Sequence, residues 1–142
     1  MTPEKQRIAI AESCGWRCEV IGAGWCVYRP NGTIESSGRR ADYDVQSLTD
    51  YIRTFYGPLH SYLKHPLPDY LNDLNAIREA VLHLGEQQRR EYALWLTDLT
   101  RGGPYFPTTY DELFPIITAT AEQCVEAFLR TINGKRYDCQ HG

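Results

Sequence analysis

Apolar positions along the chain recur mostly at helical spacing. Near the N-terminus, two short runs instead concentrate β-branched and aromatic residues. Thr2-Pro3-Glu4 reads as a helix N-cap, a proline at the first helical position and an acid in the first turn. The helix that follows carries Ile8, Ala9, Ile10 and Ala11 and stops at Gly15. Trp16 to Ile21 and Trp25 to Arg29 read as strands separated by Gly22-Ala23-Gly24. Pro30 closes the second strand because it has no ladder donor. Pro30-Asn31-Gly32 is a turn signal, and Thr33-Ile34-Glu35 reads as a third strand. Asp44 then caps a helix with Val45, Leu48, Ile52 and Phe55 at helical spacing, ending at Gly57-Pro58.

The segment from His60 to Pro68 carries Pro66 and Pro68 and reads as a long connection. Asp69 opens a helix with Leu71, Leu74, Ile77, Val81 and Leu84 on one face, closed by Gly85. A further helix from Glu86 to about Thr100 groups Tyr92, Trp95, Leu96 and Leu99, and Arg101-Gly102-Gly103-Pro104 breaks it. Thr109 caps a short helix through Leu113. In the last helix, Thr120-Ala121-Glu122-Gln123 matches a capping box, Cys124, Val125, Phe128, Leu129 and Ile132 form a stripe, and Asn133-Gly134 supplies the stop. With no internal repeat, the pattern predicts one domain over residues 1–142. Its class is α+β and helix-rich, a small antiparallel sheet of two to three strands covered by helices.

Composition narrows the function more than the fold. The 142 residues, 42% hydrophobic and 23% charged, are ordinary for a globular domain. Ten Tyr and three Trp beside four Phe and one Met favour core margins and binding surfaces over deep cores. The formal charge of −3, with acids and bases interspersed, excludes a general duplex nucleic-acid binder. A small anionic ligand needs only two or three local arginines and is compatible with that balance. No run approaches the roughly 20 apolar residues of a membrane span, and Met1 to Arg7 leads into a helix rather than a signal-peptide apolar region. Five cysteines, an odd number, fit a reducing compartment, so the expected location is cytoplasmic.

Three segments carry a resemblance. Ile8-Ala9-Ile10-Ala11-Glu12-Ser13-Cys14-Gly15-Trp16, Pro68-Asp69-Tyr70-Leu71-Asn72-Asp73-Leu74-Asn75-Ala76 and Ala119 to Thr131 resemble small phage and prophage proteins of the ABA-sandwich type. They cover about a quarter of the chain. The resemblance implies a sheet between helices and a phage origin, and it offers no catalytic motif. By analogy, small accessory phage proteins block bacterial defence by binding a defence protein or by sequestering its nucleotide signal.

Several groups could carry chemistry. Cys14, Cys18 and Cys26, with Cys139 and His141, are soft ligands, but their spacing matches no standard zinc site and buried cysteine commonly just packs. His60 and His65 near Asp69 pair a base with an acid, yet nothing nominates a nucleophile. Gly22-Ala23-Gly24 and Gly102-Gly103 are too short for phosphate loops. The most suggestive cluster is Arg39-Arg40 with Tyr43, Tyr51 and Arg53, just before and along the second helix. Arg89, beside Arg90 and Tyr92, and Arg101 with Tyr105 repeat the pairing. Guanidinium holds phosphate bidentately and a tyrosine face stacks on a base. The bland alternative is solvent-facing arginine beside core-margin tyrosine.

The expectation is therefore a non-enzymatic binding protein without metal or cofactor. It takes a small anionic nucleotide-type ligand through Arg39, Arg40, Tyr43, Tyr51, Arg53, Arg89, Arg101 and Tyr105. The alternatives are direct inhibition of a host defence protein and hydrolysis of a phosphate-containing signal. A homo-oligomer would favour a pocket, since two symmetric copies build a cleft from one modest surface.

Overall fold

The computed structural model describes residues 2–60, 62–101 and 119–134, and the chain divides into two compact units, Met1–Pro68 and Asp69–Gly142. A three-stranded antiparallel sheet and five α-helices among the described residues make the fold α+β and helix-rich. Among those residues no helix is long and apolar enough to cross a membrane.

The first unit begins with α1 (Pro3–Cys14), where the Thr2 side chain accepts from the Lys5 amide at 3.2 Å. Ile8, Ile10, Ala11 and Cys14 are buried on it, and Gly15 ends it in the left-handed region at φ 109°. Strands β1 (Arg17–Ile21) and β2 (Gly24–Tyr28) meet through Gly22-Ala23, with φ 59° at Gly22. A positive φ at the first of two loop positions is what a type II′ hairpin requires, which is why glycine stands there. The third strand, β3 (Ile34–Arg39), completes the order β1-β2-β3. In register, Trp25 lies opposite Val20 and Gly38, and Val27 opposite Cys18 and Ser36. A bulge between Val27 and Tyr28 precedes the pairing of Tyr28 with Ile34. The central strand buries Trp25, Cys26 and Val27 in succession, so both faces of β2 are covered.

Helix α2 (Leu48–Tyr56) covers the Trp25 face: the Tyr51 and Phe55 rings lie 5.8 and 5.7 Å from the indole. Two expectations need correction. The third strand runs past Glu35 to Arg39, because ladder bonds use the backbone and Ser36-Ser37-Gly38 can pair without β-branched side chains. The second helix is capped by Ser47, whose Oγ accepts from the Asp50 amide at 3.1 Å, and not by Asp44. The Asp44 carboxylate instead receives the Arg40 and Gln46 side chains.

The second unit is helical. In α3 (Leu74–Val81), Asp73 rather than Asp69 is the cap, accepting from the Asn75 amide at 3.0 Å, whereas the Asp69 carboxylate accepts from Asn72. Gly85 separates α3 and its trailing turn from α4 (Glu86–Arg101). The last described helix, α5 (Ala121–Ile132), has the full reciprocal capping box between Thr120 and Gln123. It packs against both α3 and α4. Ile77, Leu96, Cys124, Ala127 and Phe128 form the centre of this unit. Buried Thr97 and Thr131 each return their hydroxyl to the carbonyl four residues earlier at 2.8 Å, so neither leaves an unmet group. The expected breaker at Gly102-Gly103-Pro104 and the helix from Thr109 to Leu113 lie outside the described residues.

Candidate functional site

In the first unit, a concavity of about 650 Å3 lies where β3 hands over to the segment leading to α2. Trp25, Ser36, Ser37, Gly38, Arg39, Ala41, Asp42, Tyr43 and Phe55 line it. The volume falls in the range of small-ligand sites. Because β3 is an edge strand, the concavity wraps its open side and draws on residues from both faces. Backbone bonds shape the rim: the amides of Asp42 and Tyr43 both donate to the Arg39 carbonyl at 3.1 Å, turning the chain back over the sheet edge.

The wall is aromatic. Tyr43 rests on Phe55 with ring centroids 5.0 Å apart, and Phe55 contacts both Trp25 and Tyr51. Tyr43 is 52% exposed, whereas Trp25 is 3% exposed. At the rim, Arg39 Nε stands 3.3 Å from Asp42 Oδ2, with the two side chains 79% and 54% exposed. The concavity thus offers a tyrosine face, an exposed guanidinium and an exposed carboxylate, with two serines along the strand.

Of the residues the sequence nominated, Arg39 and Tyr43 meet here. Arg39 is the last residue of β3 rather than part of a helix approach. Arg40 stands outside the lining and pairs with Asp44 at 3.1 Å. Tyr51 is buried, ringed by Trp25, Phe55 and Tyr56, and its hydroxyl lies 3.4 Å from that of Tyr56. Burial, reinforced by the Tyr56 hydroxyl, pushes the Tyr51 phenol well above its ordinary value. A ring enclosed in this way has no free face for a base. Arg53 lies two positions from both Tyr51 and Phe55, which turns it to the far side of α2, where it pairs with Glu4 of α1 at 3.4 Å. Arg89 is exposed on α4 in the second unit. The Arg101 side chain and Tyr105 lie outside the described residues.

The other sequence candidates are also placed. Cys18 faces with its partner Val27, so Cys26, one residue along, points from the opposite side of the sheet. Those two thiols therefore cannot share an ion, and no group of three metal-ligating side chains gathers among the described residues. Burial and nearby Asp50 raise the Cys18 thiol above its ordinary range. Cys139 and His141 lie outside the described residues. His65 Nδ1 accepts from the Leu67 amide at 3.2 Å, a structural use of that nitrogen. Gly22 is a hairpin residue with open space around it.

Seven lining residues carry no site signal in the sequence: Trp25, Ser36, Ser37, Gly38, Ala41, Asp42 and Phe55. Trp25 and Phe55 read only as strand and helix residues, and Gly38 joins them only through the β2–β3 register. Comparison of the chain with protein-family models, with curated proteins and with solved structures finds no match in any of the three.

Proposed function

We propose that the protein is a non-catalytic binding protein, of the accessory phage kind its sequence resembles, that takes a small nucleotide-type ligand in the concavity beside β3. The observation that carries this reading is the joining of Arg39, Asp42 and an exposed Tyr43 ring around one hollow of ligand size. Tyr43 supplies a face for a flat base. Arg39 supplies a guanidinium for phosphate.

The Asp42 carboxylate looks hostile to an anion, but its pairing with Arg39 is long and both groups are well exposed. Such a pair contributes only about 0–1 kcal/mol, so a phosphate replaces it at small cost. The released carboxylate then accepts from sugar hydroxyls or a base amino group. Sequestration of a nucleotide-derived immune signal is the biological role this chemistry would serve.

Calorimetric titration with cyclic and ADP-ribose-type nucleotides tests the reading. Arg39→Ala should weaken binding about tenfold to a hundredfold, the value of a charge-assisted hydrogen bond. Arg40→Ala, outside the lining, should stay within about threefold of the native protein. Ligand recovered intact after denaturation supports binding over hydrolysis, while a new product peak would favour the hydrolase reading. No binding across the panel would end the proposal. Weight would then move to direct docking on a host defence protein, a reading favoured by Leu59 and Tyr62, 90% and 80% exposed.

A further inference from the structure

One buried side-chain polar atom among the described residues has no hydrogen-bond partner: the indole Nε1 of Trp25. Trp25 belongs to the wall of the concavity. The edge of the indole that carries Nε1 lies over Gly38, where a Cβ would stand 2.7 Å from Cζ2, 2.9 Å from Cε2 and 3.1 Å from Nε1. Gly38 lines the same hollow, so the missing side chain at this position leaves that edge at the floor of the site. An indole N–H donates and never accepts, and leaving it unmet in a buried place is costly.

We propose that Trp25 Nε1–H is the deep donor of the site and reads a hydrogen-bond acceptor on the edge of the ligand's ring. The ligand class is thereby narrowed to compounds bearing a nucleobase, as opposed to a plain aryl phosphate or a bare phosphate. This inference rests on the nucleotide reading of the concavity. Nε1 is itself covered, and access comes from Tyr43, an exposed wall residue held against Phe55 by ring contact. Turning that ring admits a flat base to the floor while Arg39 at the rim keeps the phosphate. A base presents ring nitrogens or carbonyl oxygens along its edge; a phenyl ring presents none.

The test titrates the full chain with adenosine, guanosine, cytidine and uridine monophosphates and with phenyl phosphate. It is run on the native protein and on a Trp25→benzothienylalanine variant, in which sulfur replaces the N–H and the shape is kept. At least one nucleotide should bind the native protein about tenfold or more tightly than phenyl phosphate, the value of one well-made hydrogen bond. The variant should lose that advantage and keep its affinity for phenyl phosphate. In the native protein labelled with 15N, the Trp25 indole resonance should move downfield on saturation, a readout that needs no variant to fold. Equal nucleotide affinity in both proteins, an unmoved indole resonance, or phenyl phosphate binding as well as every nucleotide would overturn the inference and leave the binding reading standing. No binding of any of these probes, together with none across the earlier nucleotide panel, would end both.

Discussion

The two units solve the same burial problem differently. In the helical unit, Ile77, Leu96, Cys124, Ala127 and Phe128 come from three helices, and the buried threonines close on their own helix carbonyls. Its last described helix has every device of a self-contained element: a capping box, an apolar stripe and an asparagine stop. The sheet unit is less complete. It keeps an indole N–H unmet, places a glycine where any side chain would strike that indole, and leaves Ile21 and Ile34 exposed on its edge strands. Local conflicts of this kind are expected where a structure serves a site as well as its own stability. The concavity lies in the unit that carries them.

The comparison can be broken most easily at the helical core. Phe128 has no exposed surface, so Phe128→Ala should destabilise the protein by about 3–5 kcal/mol, read as a lower urea midpoint. A loss under about 1 kcal/mol would mean that this core can collapse around the gap and is not closely packed. The sheet unit supplies the next test. In Gly38→Ala the new methyl would stand 2.7 Å from Trp25 Cζ2, and the indole must shift. The expected cost is about 1–3 kcal/mol, with a changed near-ultraviolet circular dichroism signal from the displaced indole. Ser37→Ala on the neighbouring exposed position should stay within about 0.5 kcal/mol. Equal effects at 37 and 38 would remove Gly38 from the argument.

How much of this was legible follows the same divide. Helix ends announce themselves in side chains, so the Thr2 cap and the Thr120–Gln123 box were readable and stand where expected. Errors came where two residues could each cap: Asp44 and Ser47, or Asp69 and Asp73. Only the fold decides which side chain is free to turn toward an amide. Val45 added to the first confusion, since it is fully buried at helical spacing from Leu48 yet precedes the helix. Ser36-Ser37-Gly38-Arg39 carries no strand-forming pattern, so the sequence ends the third strand at Glu35, and pairing with β2 supplies what propensity lacks.

That one shortening hid the site. With Arg39 assigned to a helix approach, nothing connected it to Trp25, which lies across the ladder from Gly38. Periodicity argues against Tyr51: it falls three after Leu48 and one before Ile52, squarely on the buried stripe. Composition marks it as a binding tyrosine, whereas periodicity places it inside.

At neutral pH the smallest expected effect concerns two buried phenols, one in each unit. Burial, aided by the hydrogen bonds that the Tyr51 hydroxyl makes with Tyr56 and the Tyr92 hydroxyl with Cys124, raises both above the ordinary tyrosine value of 10.0. A group whose folded pKa is raised stabilises the fold fully below its unfolded pKa, and that contribution falls as pH climbs above it toward the folded value. Stability should therefore be insensitive to these two tyrosines up to about pH 9 and decline from about pH 10 upward. For Tyr92 the decline approaches about 1.4 kcal/mol per pH unit once the unfolded phenol is fully ionised. Absorbance near 295 nm gives the check: while the fold holds, neither phenol contributes to the titration near pH 10. Tyr51→Phe and Tyr92→Phe should each leave that amplitude unchanged, and each should flatten the alkaline fall in urea midpoint. If Tyr51→Phe alone lowers the amplitude, its phenol is in contact with water under native conditions.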